Sequence, residues 1–147
     1  MLIRRAKKED YPVFAAIEAQ YPGFPAWGVK GFEAEEANKY SVTLTAEEDG
    51  RAAGFINFWV LRPQVQLNTL AVEGACAGRG LASALIGKLL EYAGKSLCVE
   101  VVLEVNEHNA AALALYRKHA FEMAGKRPKF YNNTDAALLM RKILKDI

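Results

Sequence analysis

Three groups of residues in this chain are of types, and at spacings, that could do chemistry. The first is Ala77-Gly78-Arg79-Gly80-Leu81-Ala82-Ser83, which follows a β-type run from Gln64 to Val72. Glycine has no side chain to block an approaching ligand, and a helical repeat of Leu81, Leu85 and Leu89 begins directly after the bend. The first N–H groups of a helix have no internal partner, and the helix dipole is positive there. A phosphate or pyrophosphate group fits such a place. The same glycines also suit a tight strand-to-helix turn that binds nothing. The pattern is not the Walker loop, because no Gly-Lys-Ser/Thr follows, and it is not a complete dinucleotide fingerprint.

The second group is Asn109, Ala112, Leu113 and Tyr116. Tyr116 comes seven residues after Asn109, two helical turns, so both project from one helix face. Such a tyrosine can pack as an amphipathic core residue or deliver a proton, and such an asparagine can cap the helix or touch a ligand. The third is Glu104. Strand alternation puts Glu100, Val102 and Glu104 on one face and Val99, Val101, Leu103 and Val105 on the other. A carboxylate in that apolar setting has cause for a raised pKa and could act as a base, directly or through a water. A solvated strand-end glutamate fits the pattern equally. His108 and His119 read as surface or capping residues, and Cys76 has no evident base to activate it.

These residues need a scaffold, and periodicity supplies one. Leu2 to Lys7 reads as a strand and Glu9 to about Gln20 as a helix, with Val13, Phe14 and Ile17 on one face. Tyr21 to Gly28 is a loop by its proline and glycine content, followed by a short helix from about Val29 to Asn38. Ser41–Glu47 and Ala52–Leu61 are strands joined by an Asp49-Gly50 hairpin turn. After the strand ending at Val72 comes the helix from Leu81, for which Gly94 is a stop. The strand Cys98–Val105, the Asn109 helix and two strands around Tyr131 complete the order, ending near Ile143. The pattern β-α-α-β-β-β-α-β-α-β-β predicts an α/β chain with a mixed sheet.

Taken together in order and spacing, the glycine bend and the Asn109–Phe121 segment resemble the GNAT family of acetyl-CoA-dependent N-acetyltransferases, over nearly the whole chain. The family pattern Gln/Arg-x-x-Gly-x-Gly/Ala falls on Ala77–Ala82, with Ala77 in the place of Gln or Arg. The pattern Asn-x-x-Ala-x-x-Leu-Tyr-x-x-x-Gly-Phe falls on Asn109–Phe121, with Ala120 in the place of Gly, a position suited to a left-handed helix cap. The resemblance implies a twisted mixed sheet with helices on both faces and central strands that splay at their C-terminal ends. It implies acetyl-CoA as co-substrate; no metal is expected. The backbone of Leu70, Ala71 and Val72 would hold the pantetheine arm, and Gly78, Arg79, Gly80, Leu81, Ala82 and Ser83 the phosphates. Asn109 would contact the cofactor, and Tyr116 would protonate the coenzyme A sulfur.

Within that family the chain is similar to the ribosomal-protein alanine N-acetyltransferase (RimI) branch. Leu103-Glu104-Val105 matches the branch's base strand, twelve residues before Tyr116. Phe24-Pro25-Ala26-Trp27 resembles its Phe-Pro-Trp loop with one residue inserted, and Arg127-Pro-Lys-Phe130-Tyr131 resembles its Arg-x-x-Tyr-Tyr ending. The resemblance implies Glu104 as the general base, Trp27 and Tyr131 beside the acceptor, and the N-terminal amine of a ribosomal protein as the acceptor. Trp27 and Tyr131 also suit plain loop packing. The segment Asn132-Asn133-Thr134 is several residues shorter than in the branch, which leaves an internal lysine or a small-molecule amine open. A module that senses acyl-CoA without turnover is the reading from another class, and a nucleotide-binding protein lacks its lysine and acidic ribose partner.

Composition sets the outer limits. A chain of 147 residues with 52% hydrophobic content is read as a single domain, residues 1–147, with a sizeable core. A net charge of +2 is too slight to argue for nucleic acid, though scattered basic residues suit an anionic cofactor. The start has no apolar leader and no run reaches the length of a membrane span, so a cytoplasmic location without membrane partners is expected. Cys76 and Cys98 have neither zinc nor CxxC spacing and are expected as reduced thiols.

Overall fold

The computed structural model of the chain describes residues 1–131 and 134–144, the side chains of Lys129 and Tyr131 excepted. Seven strands form a mixed sheet in the order β1-β2-β3-β4-β5-β7-β6. They are β1 (Leu2–Arg5), β2 (Ser41–Glu48), β3 (Arg51–Leu61), β4 (Gln64–Val72), β5 (Glu100–Asn106), β6 (Glu122–Tyr131) and β7 (Asp135–Ile143). The helices are α1 (Tyr11–Glu18), α2 (Gly28–Glu35), α3 (Leu81–Lys95) and α4 (Ala110–Lys118). This is the expected element order. Among the described residues no helix is long and apolar enough to cross a membrane.

Contacts group the chain into two compact units, Met1–Trp59 with Thr69–Leu89, and Val60–Asn68 with the chain from Leu90 onward. In the first, β2 pairs antiparallel with β1 and with β3, from Ser41↔Trp59 to Glu48↔Arg51. The turn residues Asp49 and Gly50 take φ values of 52° and 78°, the left-handed pair that a two-residue hairpin requires. Tyr11, Phe14 and Ile17 line one stripe of α1 and are buried with Phe32 of α2, Phe55 of β3 and Ala71 of β4. The rings of Phe14, Phe32 and Phe55 meet at 4.8 to 5.2 Å, an edge and tilted packing that aromatic quadrupoles favour. Val13, expected on this face, is instead 38% exposed, and Tyr11 takes its place one turn earlier on the stripe.

In the second unit β5 pairs parallel with β4, from Gln64↔Glu100 to Leu67↔Leu103, and antiparallel with β7, from Glu100↔Ile143 to Asn106↔Ala137. β4 continues to Val72 and β5 to Asn106, past the last residues of their ladder. β6 pairs with β7 on the far side. Burial alternates along β5, where Val101, Leu103 and Val105 are buried and Glu104 is exposed, as the period of two requires.

The helix ends differ from expectation by a few residues. α3 runs through Gly94 to Lys95 and stops because Leu97 turns left-handed at φ 60°. Cys98 N–H then reaches the Ala93 carbonyl and Leu97 N–H the Gly94 carbonyl, a Schellman cap built on a leucine. The end of α4 repeats it. Ala120 has φ 66°, with Phe121 N–H on the Tyr116 carbonyl and Ala120 N–H on that of Arg117. Ala120 thus takes the left-handed position expected of it.

Candidate functional site

The glycine bend begins at the end of β4. Glu73 N–H donates to the Ala53 carbonyl, and the Ala71 carbonyl lies beside Gly54, so residues 71 and 73 turn toward β3. By alternation, Leu70 and Val72 turn their backbone groups to the opposite strand edge. Of the three residues expected to hold a pantetheine arm, these two turn toward that edge, where the Val72 carbonyl already accepts from the Tyr21 hydroxyl. The chain then makes a short 3-10 turn, Gly74–Cys76, capped by the Glu73 side chain, which accepts from Ala75 N–H at 3.0 Å.

Gly78 and Gly80 have φ values of 81° and 82°, and a Cβ added at either would meet nothing within 4 Å. Both glycines are therefore required by backbone conformation, and both face open space. Gly80 C=O accepts the first helical bond, from Ala84 N–H at 3.0 Å, so the N–H groups of Leu81, Ala82 and Ser83 belong to the first turn of α3. Left-handed glycines, open space and a helix N-terminus together fit a pyrophosphate held by backbone amides. Arg79 and Ala82 lie in the same bend and turn.

The second group lies on β5 and α4, in the other unit. Glu104 is exposed, and its carboxylate sits 3.0 Å from Nη2 of Arg127 on β6. Leu103 and Val105 turn to the other face, as alternation predicts, and a guanidinium stands beside the carboxylate expected in an apolar setting. Arg127 also lies over the Phe130 ring, 5.4 Å from its centre. Asn109 is the N-cap of α4, its Oδ1 accepting from Ala112 N–H at 3.1 Å, so the capping reading holds. Tyr116 is 8% exposed and its ring lies 5.7 Å from that of Phe121. Its ring packs as a core residue.

A cluster that sequence reasoning missed adjoins this group. One ligand atom each of Glu107, His108 and Asp135 lies within 4.8 Å of the others. His108 Nε2 is 3.7 Å from Glu107 and 3.6 Å from Asp135, while Lys126 Nζ is 3.6 Å from Glu107. Ala136 N–H donates to Glu107 and, with Lys126 and His108 nearby, holds its carboxyl below the usual range. Only the register of β7 brings Asp135 here, which no local pattern reveals. Burial, then Lys118 and Lys142, push His119 below the ordinary histidine value. Burial pushes the Cys98 thiol up, against the opposing charge of Arg62, and Cys76 and Cys98 are both free.

On the loop between α1 and α2, Trp27 is half-buried against the core, with its ring 5.3 Å from Phe32. The loop-packing reading of Trp27 holds. The Tyr131 backbone pairs with Asp135 at the β6–β7 turn. Its side chain, and Asn132 and Asn133 of the shortened segment, lie outside the described residues.

The model of the acetyltransferase (GNAT) family matches residues 3–121. The chain is 31% identical over 126 residues to the ribosomal protein bS18-alanine N-acetyltransferase of Escherichia coli K12, covering 86% of this chain and 84% of that one. It is 34% identical over 134 residues to an uncharacterized protein of Mycobacterium leprae, of which it spans only 36%. Among solved structures, the ribosomal-protein-S18-alanine N-acetyltransferase from Escherichia coli superposes with a TM-score of 0.87 at 27% identity, covering 99% of this chain and 95% of that chain.

Proposed function

The chain belongs to the acetyltransferase (GNAT) family, and from that premise we propose that it transfers the acetyl group of acetyl-CoA to the N-terminal amine of a protein. A ribosomal-protein alanine is the acceptor that the similar enzymes' names suggest. The observation that carries the reading is the pair of left-handed glycines opening onto free space at the N-terminus of α3. A side chain at either glycine would extend into that space, where the pyrophosphate of the cofactor would lie. The backbone of Leu70 and Val72 would align the pantetheine arm as an added strand does.

On the acceptor side, Glu104 takes the proton that the attacking amine must lose, directly or through a water. Its exposure leaves it open to a solvent-borne amine. Tyr116 delivers a proton to the departing thiolate sulfur, and Asn109 contacts the cofactor with the face its cap leaves over. The family resemblance assigns Trp27 and Tyr131 to the acceptor. A second acceptor class, an internal lysine or a small amine, is favoured by one feature of the sequence, the short segment Asn132-Asn133-Thr134 between Tyr131 and Asp135.

The test is incubation with acetyl-CoA and a panel of N-terminal peptides, lysine peptides and polyamines, read by mass spectrometry. Acetylation of an alanine-terminal peptide above the rest is the expected result. Preference for a polyamine or lysine selects the second acceptor class, and cofactor binding with no transfer selects the acyl-CoA sensor.

A further inference from the structure

The loop between α1 and α2 is held at both ends by groups that the chemistry above does not use. Glu18, the last residue of α1, is only 2% exposed, yet it carries a carboxylate. Its two oxygens accept from Trp27 N–H at 2.8 Å and Gly28 N–H at 3.1 Å. A buried carboxylate is costly unless its oxygens are bonded, so these two bonds define where the loop must end. At the other end the Tyr21 hydroxyl donates to the Val72 carbonyl at 2.5 Å. Beside it, Gln20 accepts from Gly74 N–H at 2.8 Å and donates to Glu73 at 3.0 Å. Between the two ends, Phe24 and Trp27 pack on the aromatic core, and Phe24 lies against the Tyr21 ring at 6.3 Å.

We propose that Glu18 and Tyr21 are positioning residues that fix the Tyr21–Trp27 loop as a preformed wall for the acceptor, fastened by Tyr21 to the end of β4. The inference rests on the function proposed above, which places the acceptor at Trp27 and the donor along Leu70 and Val72. The Val72 carbonyl lies on the strand edge that the donor would use, so one hydroxyl ties the acceptor wall to the donor strand. A wall ordered in advance spares the acceptor the entropy of ordering it on binding. Loosening it therefore shows in acceptor KM, while Glu104 and Tyr116, and with them kcat, are unchanged.

The test uses Tyr21→Phe, which keeps the ring and removes the hydroxyl, and Glu18→Gln, which keeps the shape and one acceptor oxygen. The probe is a peptide with a free N-terminal alanine. The expected result is an acceptor KM raised about three- to tenfold in each variant, with kcat and acetyl-CoA affinity within about twofold of wild type. In the free protein, amide exchange at Trp27 and Gly28 should quicken in Glu18→Gln. Tyr21→Phe, altered at the surface, keeps the test decisive if the buried variant fails to fold. Unchanged acceptor KM in Tyr21→Phe, or a loss confined to kcat, overturns the wall while leaving the acetyltransferase reading intact. No transfer by the wild type to any acceptor overturns both.

Discussion

Glu104 on β5 and Arg127 on β6 face each other at 3.0 Å although β7 lies between their strands in the sheet. Glu104 registers with Leu139 of β7, and Arg127 with Ala137 of the same strand. The long arginine side chain reaches across the intervening strand to the exposed carboxylate. If that carboxylate is the base, Glu104→Gln lowers turnover by about 10²-fold or more and changes the acidic limb of the rate profile, with acetyl-CoA affinity little altered. Arg127→Ala separates the partners: it leaves the base present but unheld, so activity falls by less than in Glu104→Gln. Steady-state rates across pH, with calorimetry for the donor, check both.

Ala120 holds a left-handed φ of 66° at the end of α4. For an alanine that conformation carries a strain on the order of 1 kcal/mol, and glycine carries none. Ala120→Gly is expected to raise stability by about 0.5 kcal/mol, since glycine's looser unfolded chain offsets part of the relief. Urea unfolding of the variant beside wild type measures it. A loss of stability would mean that the alanine methyl group packs more than the cap strains.

Asp10 joins the first strand to the first helix. Its two oxygens accept from Nη1 and Nη2 of Arg4 at 2.8 and 3.0 Å, and one also accepts from Lys7 N–H at 2.7 Å. Burial alone would push its carboxyl up, but the Arg4 and Lys7 bonds outweigh that and hold it below the ordinary 3.8. A depressed carboxyl contributes stability that is fully present above its unfolded value and is lost as pH falls through its folded value. Asp10→Asn should therefore cost on the order of 2 kcal/mol at neutral pH. The difference from wild type should shrink in acid as the wild-type carboxyl protonates. Chemical unfolding at neutral and at strongly acid pH checks the sign; a difference that does not change with pH would remove the charge from the account.

The features legible in the sequence were those with a local period or a local turn. β4 runs over the expected Gln64–Val72, the Asp49-Gly50 hairpin is in place, and Leu81, Leu85 and Leu89 are buried on α3. Asn109 was legible as a cap because a cap is decided within four residues. What escaped depends on register between distant strands, as with Arg127 beside Glu104 and Asp135 beside His108. Glu18 escaped for another reason. In sequence it is one more polar residue of an amphipathic helix, and only the return of Trp27 and Gly28 explains a buried carboxylate. Gly94 misled because helix stops are read from glycine, whereas here Leu97 supplies the left-handed turn.

Gly80 offers a test of the donor site that leaves the acceptor aside. A side chain there would extend into space that no protein atom fills. If the bend holds the pyrophosphate, Gly80→Val places a branched group toward it and is expected to weaken acetyl-CoA binding at least tenfold, about 1.4 kcal/mol. Its φ of 82° also strains any other residue, so the comparison needs the folded fraction of the variant. Calorimetry on the folded variant that returns wild-type affinity would reject the phosphate-loop assignment.

Tyr116 separates an enzyme from a binding module. The ring is buried beside Phe121, and phenylalanine preserves that packing. If Tyr116 is the proton donor, its hydroxyl matters when negative charge develops on the departing sulfur. Tyr116→Phe should therefore leave folding and acetyl-CoA affinity near wild type while lowering kcat by about 10- to 10³-fold, if thiolate protonation contributes to the slow step. An acyl donor whose leaving thiol has a lower pKa needs that proton less, so the variant's loss should be smaller with it. Calorimetry gives the binding, and single-turnover transfer with both donors gives the chemistry. Equal losses with the two donors would argue against proton delivery by Tyr116 and return it to the core residue that its packing already makes it.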